Sequence, residues 1–133
     1  MIPDNWKERL DIVMSFEPGW LDGSEGVPVE IQAKNIAEGI LEEFHNENIL
    51  NGQRPGIYLL IEGGIQLEWE ENGIDYFIEV ENSGSVELSA FGESVDLVEN
   101  FKTETYNQDD YKHIIEILNT MRDKVSKNDL SFK

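Results

Sequence analysis

The residues most plentifully able to do chemistry in this chain are carboxylates. Its 133 residues hold 28 aspartates and glutamates, two histidines and no cysteine. Without cysteine there is no disulfide, thiolate metal site or thiol nucleophile. His45 and His113 stand apart, outside any spacing such as HExxH that sets two imidazoles on one helix face. Both are read as surface or half-buried structural residues. Glu62, Glu68 and Glu70 are the candidates for a paired acid and base. Such a pair needs a cleft and one carboxyl kept protonated, and a small sheet offers little cleft. The run LDGSEG at 21–26 is rich in oxygen ligands but lacks the spacing of a twelve-residue calcium loop, so its acids are read as turn formers. No P-loop, dinucleotide fingerprint or GxSxG elbow is present. The chain is therefore expected to be non-enzymatic, with no metal and no cofactor.

The charge balance points outward, to a partner. The net charge is −18, from 28 acidic and 10 basic residues. Nucleic acid and anionic membrane both require basic residues against phosphate, so direct binding to either is not expected. An acidic surface suits a basic protein surface, or simply solubility. The imbalance is local as well as global. Between residues 55 and 101 there is no lysine or arginine, while Glu62, Glu68, Glu70, Glu71, Asp75, Glu79, Glu81, Glu87, Glu93, Asp96 and Glu99 all fall there. The N-terminal stretch MIPDNWKERLDIVMSF carries Asp4, Glu8 and Asp11 and no long apolar run, so it is not read as a secretion signal. No segment approaches the ~20 apolar residues of a membrane span. A cytoplasmic protein of a bacterium, or of a virus of one, is expected.

The elements that position these acids follow from hydrophobic period. One α+β domain over residues 1–133 is predicted: helix, loop, helix, β-meander, helix. The first helix covers 5–14, with Asp4 as its N-cap and Trp6, Leu10 and Val13 on one face. A Gly- and Pro-rich loop follows. The second helix covers 29–46, entered at Pro28, with Ala33, Ile36, Ala37, Ile40, Leu41 and Phe44 at spacings of three and four. Four strands are predicted at 56–61, 65–70, 74–81 and 85–91. Asn72-Gly73 is the strongest hairpin signal among them. A two-residue turn there pairs Trp69 with Tyr76, Leu67 with Ile78 and Ile65 with Val80. A three-residue turn at Asn82-Ser83-Gly84 pairs Val80 with Val86 and Ile78 with Leu88; a two-residue turn would set Val80 against Glu87 and break the pattern. Residues 91–106 admit a fifth strand or a short helix near 95–98. The last helix covers 108–125, capped by Asn107, with a frayed tail beyond it.

This register fixes a surface. If the helices cover Ile65, Leu67, Trp69, Tyr76, Ile78, Val80, Val86 and Leu88, period two turns Gln66, Glu68, Glu70, Asp75, Phe77, Glu79, Glu81, Glu87 and Ser89 to the other face. Glu70 then faces Asp75, and Glu79 faces Glu87. Like charges directly opposite destabilise a sheet. Either solvent, salt and cations from the last helix relieve them, or a basic partner does, with Phe77 as its apolar anchor. Gln66, Glu68, Glu70, Asp75, Phe77, Glu79 and Glu87 are the predicted binding residues.

The segment PGWLDGSEGVPVE, the apolar helix after it, and RPGIYLLIEGGIQLEWEENGIDYFIEVENSGSVEL resemble a family of small bacterial proteins. That family has a GW(D)G loop, a proline soon after it, and a central EGGIQLEW strand leading into an acidic hairpin. The resemblance rests on Gly19, Trp20, Asp22, Gly23, Pro28, Pro55, Glu62, Gly63, Gly64, Ile65, Gln66, Leu67, Glu68, Trp69, Ile78, Glu79, Val80 and Gly84. It covers about half the chain, roughly residues 18–88, and EGGIQLEW is its specific part. Leu21 departs from the pattern, standing between the tryptophan and the aspartate, as do Leu59 and Leu60 where a second proline is usual. The resemblance implies a fold and an accessory, antitoxin-like role, without a mechanism. Within the motif, Gln66 and Glu68 point outward without serving the core. They are expected either to bind a partner or to hydrogen-bond the loop that carries Trp20.

Three functions fit these residues. The first is a protein-binding module acting as an inhibitor, antitoxin or immunity-type factor through the acidic face. The second is a DNA mimic, since carboxylates on alternate strand residues lie several ångströms apart, as duplex phosphates do. The third is a small carboxylate-dependent hydrolase built on Glu62, Glu68 or Glu70.

Overall fold

Alternating patterns in the centre and three-four patterns at both ends give the element order α1 (Asp4–Met14), α2 (Ile31–Asn46), β1 (Gly56–Leu59), β2 (Gly64–Glu71), β3 (Ile74–Glu81), β4 (Val86–Gly92), β5 (Val98–Thr103) and α3 (Asp110–Ser131). The structure, a computed structural model, describes residues 2–23, 25–92 and 98–131. The strands form one antiparallel sheet in the order β1-β2-β3-β4-β5. The meander thus has five strands where four were expected, the fifth falling in the ambiguous stretch. The alternative helix near 95–98 lies almost wholly outside the described residues.

Turn chemistry sets the register. Asn72 and Gly73 both take positive φ, +53° and +80°, the pairing a two-residue hairpin turn demands. Trp69 accordingly lies opposite Tyr76, Leu67 opposite Ile78 and Ile65 opposite Val80. Gly84, at φ +94°, closes the three-residue turn and sets Val80 opposite Val86 and Ile78 opposite Leu88.

The core lies between one sheet face and the three helices. Ile57, Ile65, Leu67, Tyr76, Ile78, Val80, Val86, Leu88 and Ala90 bury there against Trp6, Leu10 and Val13 of α1, Ala37, Ile40, Leu41 and Phe44 of α2, and Ile114, Leu118 and Met121 of α3. Each fully buried branched aliphatic contributes about 1.5–3 kcal/mol. Trp69 stacks on Tyr76 with ring centroids 5.1 Å apart and meets Phe44 edge-on at 5.4 Å. Burial pushes the Tyr76 phenol up to about 12.

Helix starts differ from expectation by one or two residues, α3 beginning at Asp110 and not at 108, while its end lies six residues beyond 125. Pro3, not Asp4, is the N-cap of α1, and its carbonyl accepts from Trp6 N and Lys7 N while no side chain caps the helix. Helix α2 begins at Ile31, after an extended Glu30, rather than at Val29. Asn107 does precede α3 as a cap. Its Oδ1 accepts from Asp109 N at 2.9 Å, and Asp110 reaches back to Asn107 N at 2.9 Å, a reciprocal capping box with aspartate in the glutamate role. The tail expected to fray continues α3 as far as Ser131.

Candidate binding surface

The sheet face away from the helices is crossed by rows set by the register. One row runs Tyr58, Gln66, Glu79, Glu87, Lys102; the next runs Gly56, Glu68, Phe77, Ser89, Asn100; in the third, Glu70 and Asp75 lead to Phe91. Both expected like-charge pairs are present, Glu70 opposite Asp75 and Glu79 opposite Glu87. All seven predicted residues share this face. All but Glu87, which lines neither, divide between two hollows. A shallow one of about 230 Å³ is lined by Glu68, Glu70, Asp75 and Phe77 with Gly56 and Tyr58. A broader groove of about 730 Å³ opens where the β1–β2 and β3–β4 turns meet, and takes in Gln66 and Glu79 with Glu62, Glu81, Leu60 and Ile61.

Relief of the repulsion comes from an unexpected strand. Arg122 of the last helix is engaged on the other side of the sheet. Arg122 donates from Nε and Nη2 to Glu71 at 2.7 and 2.9 Å, and from Nη2 to the Ile49 carbonyl at 3.1 Å, at the end of β2 on the helix side. Lys102 of β5 instead stands opposite Glu87. One lysine is insufficient for Glu79. Partial burial, then Glu87, then Glu81 raise its carboxyl above the ordinary range, against the opposing pull of Lys102.

That shift has a definite sign. A raised folded-state carboxyl pKa means the folded chain holds the proton more tightly than the unfolded chain. Ionised Glu79 therefore subtracts stability at pH 7, and the deficit fades as pH falls through the raised pKa and is gone only below the ordinary carboxyl value of 4.5. Glu79→Gln is expected to raise the melting temperature at pH 7 by roughly 2 °C, the effect being small because solvent and salt screen the site. The gain should be largely gone at about pH 4 and should shrink with added salt. Equal gain at both pH values in thermal melts would show that charge is not its cause.

Gln66 and Glu68 do not reach the Trp20 loop, as one expectation had it. Gln66 Nε2 donates to Glu68 Oε2 at 2.8 Å, so each orients the other on the open face. The loop is held by Asn82, a residue read from sequence only as a turn former. Its Oδ1 accepts from Glu30 N at 2.8 Å, and its Nδ2 donates to the Pro28 carbonyl at 2.9 Å. Within the loop, Asp22 accepts from Glu25 N at 2.8 Å, the turn-forming role expected of it. Trp20 Nε1 donates to the Val27 carbonyl at 3.0 Å, and its ring lies so close to Gly26 that an added methyl there would sit 2.8 Å from it.

Three further residues of the open face escaped the sequence reading. Tyr58 and Phe91 are exposed at 44% and 48%, and Phe91 meets Phe77 edge-on at 6.0 Å. Lys102 is the third. Continuing period two from Glu87 and Ser89 would have found Phe91. Both histidines lie elsewhere: His45 closes α2 against Trp6, and His113 on α3 sits against Phe101 and 3.7 Å from Asp110. Among the described residues, no group of three or more His, Asp or Glu side chains is placed to hold a metal ion, and no helix is long and apolar enough to cross a membrane. No protein-family model, curated protein or solved structure matches this chain.

Proposed function

We propose that this protein is a non-enzymatic binding module that docks a basic protein surface on its open sheet face, as an inhibitor, antitoxin or immunity-type factor does. The observation that carries this reading is the composition of that face. Glu68, Glu70, Asp75, Glu79 and Glu87 surround Phe77, with Lys102 as the cation in their rows. Half-buried Phe77 with exposed Tyr58 and Phe91 beside it, among charges, resembles the centre of an interface, where a few such side chains carry most of the energy. Carboxylates aligned against a cationic partner speed encounter and set orientation. A cytoplasmic partner is the simplest source of such a surface.

The DNA-mimic reading has less support, because Phe77 and Phe91 interrupt the acidic rows and acids such as Glu8, Asp11, Glu38 and Glu43 lie on the helices. The hydrolase reading also has less, since Glu62 lines one hollow while Glu68 and Glu70 line another.

Glu79→Lys/Glu87→Lys tests the proposal against Glu8→Lys/Asp11→Lys, which changes net charge equally on α1. Immobilised wild-type protein should retain a basic protein from a bacterial lysate at low salt and release it as salt rises. The sheet variant should lose that protein while the α1 variant keeps it. Equal loss from both variants would mean that bulk charge, not this face, does the binding, and the proposal would fall.

A further inference from the structure

We infer that the docking surface continues past the sheet onto an apolar shelf beside the Trp20 loop, and that the partner segment is amphipathic, with lysine or arginine on one side and large aliphatic residues on the other. The inference rests on the acidic-face reading and specifies the partner's chemistry.

A chain of contacts builds the shelf. Phe16, just beyond α1, stacks on Trp20 with centroids 6.0 Å apart and an 18° interplanar angle. Trp20 is tied to the Val27 carbonyl, and Val27 N donates to the Ile61 carbonyl at 2.9 Å. Ile61 in turn lines the 730 Å³ groove beside Glu62, Glu79 and Glu81. Phe16, Val27 and Ile61 are exposed at 43%, 44% and 52%. Scattered apolar residues on a surface need no explanation, but linked ones beside a groove mark contact sites. The shelf is also held still, because Asn82 fixes the loop to the sheet through Pro28 and Glu30. A preorganised surface loses little entropy on binding.

Charge selects the occupant. Glu17, Asp22, Glu25 and Glu30 flank the shelf residues in sequence, Glu62 lines the groove beside Ile61, and no lysine or arginine occurs between Arg9 and Lys34. A second copy of this chain would bring the same acids into contact. An apolar but uncharged segment would leave the groove carboxylates facing a low-dielectric neighbour, which is unfavourable. A segment with cations flanking its aliphatic side chains satisfies both surfaces. Its cationic heads reach Glu62, Glu79 and Glu81, while its aliphatic groups cover Val27, Ile61 and the stacked rings.

Two synthetic probes separate the parts. The first is a helical peptide of about 18 residues with lysine on one face and leucine at amphipathic spacing on the other. The second is the same peptide with every leucine replaced by glutamine. In isothermal titration, wild-type protein is expected to bind the leucine peptide roughly tenfold more tightly. Val27→Ser/Ile61→Ser should reduce that affinity to the level of the glutamine peptide, whose own binding stays unchanged. Phe16→Ser, at the far side of the shelf, should act in the same direction independently. Glu79→Lys/Glu87→Lys should weaken both peptides. Equal affinity of wild type for the two peptides, or a leucine preference surviving both shelf variants, overturns the shelf and leaves the acidic face standing. Binding of neither peptide overturns both.

Discussion

Gly64→Ala is expected to cost this protein about 3–5 kcal/mol of stability, a large share of the total. Gly64 opens β2 at φ +132°, a region that side-chain-bearing residues almost never enter. A methyl group placed on it would lie 2.1 Å from the Val80 carbonyl oxygen and 2.9 Å from the Glu81 Cα. Both obstacles are backbone of the neighbouring strand, where Gly64 pairs with Glu81, so neither can rotate away. Backbone strain of about 1–3 kcal/mol adds to a similar overpacking cost, against a total stability of about 5–15 kcal/mol. Two other glycines calibrate the experiment. Gly73, at φ +80° with open space around it, should cost only about 1 kcal/mol on conversion to alanine. Gly39, inside α2 with nothing near its added methyl, should gain about 0.5–1 kcal/mol. Urea denaturation followed by circular dichroism orders the three. A Gly64→Ala loss no larger than that of Gly73→Ala would show that β2 does not enter the sheet as described.

This site shows what local sequence can and cannot convey. The β2–β3 register was legible because two independent constraints coincide there: Asn72-Gly73 fits only a few turns, and the alternation of Leu67, Trp69, Tyr76 and Ile78 fits only one face. The same agreement at Gly84 fixed β4, and both opposed acid pairs followed from it. Strand β5 resisted because it is an edge. Phe101 is the apolar residue between Asn100 and Lys102 in the register, paired with Leu88 and set against His113 of α3 at 5.1 Å, too little alternation to announce a strand. Lys102 was therefore missed, although it is the cation that faces Glu87. Tyr58 was missed because β1 has only four residues and no two- or three-residue turn signature sets its pairing with β2. Cap preference favours Asp4 at the start of α1, while Pro3, with its fixed φ and a carbonyl that accepts from Trp6 N and Lys7 N, holds the position.

The attachment of the Trp20 loop is the least local feature of all, and its loss should be the second large effect. Asn82 lies 52 and 54 residues from its partners, Glu30 N and the Pro28 carbonyl. Nothing near Pro28 or Glu30 in sequence indicates that a turn asparagine will meet them. Its backbone N also donates to the Gly63 carbonyl at 3.3 Å, so one residue joins both turns and the loop. In Asn82→Ala that backbone bond survives and the two side-chain bonds are lost. At about 0.5–1.5 kcal/mol each, the expected loss is about 2 kcal/mol, or roughly 6–8 °C in melting temperature for a domain of this size. The effect should also be uneven. Val27 N, bonded to the Ile61 carbonyl, and Gly19 N, bonded to the Gly26 carbonyl at 2.9 Å, should exchange with solvent far faster once the loop is released. Amides of the β2–β3 ladder, which sit in the most cooperative part of the sheet, should lose protection only by the change in global stability. Hydrogen exchange resolved by residue distinguishes the two. Uniform loss of protection across loop and ladder would mean that the loop unfolds only with the whole domain, and that Asn82 acts as an ordinary turn residue and not as the fastening of the shelf.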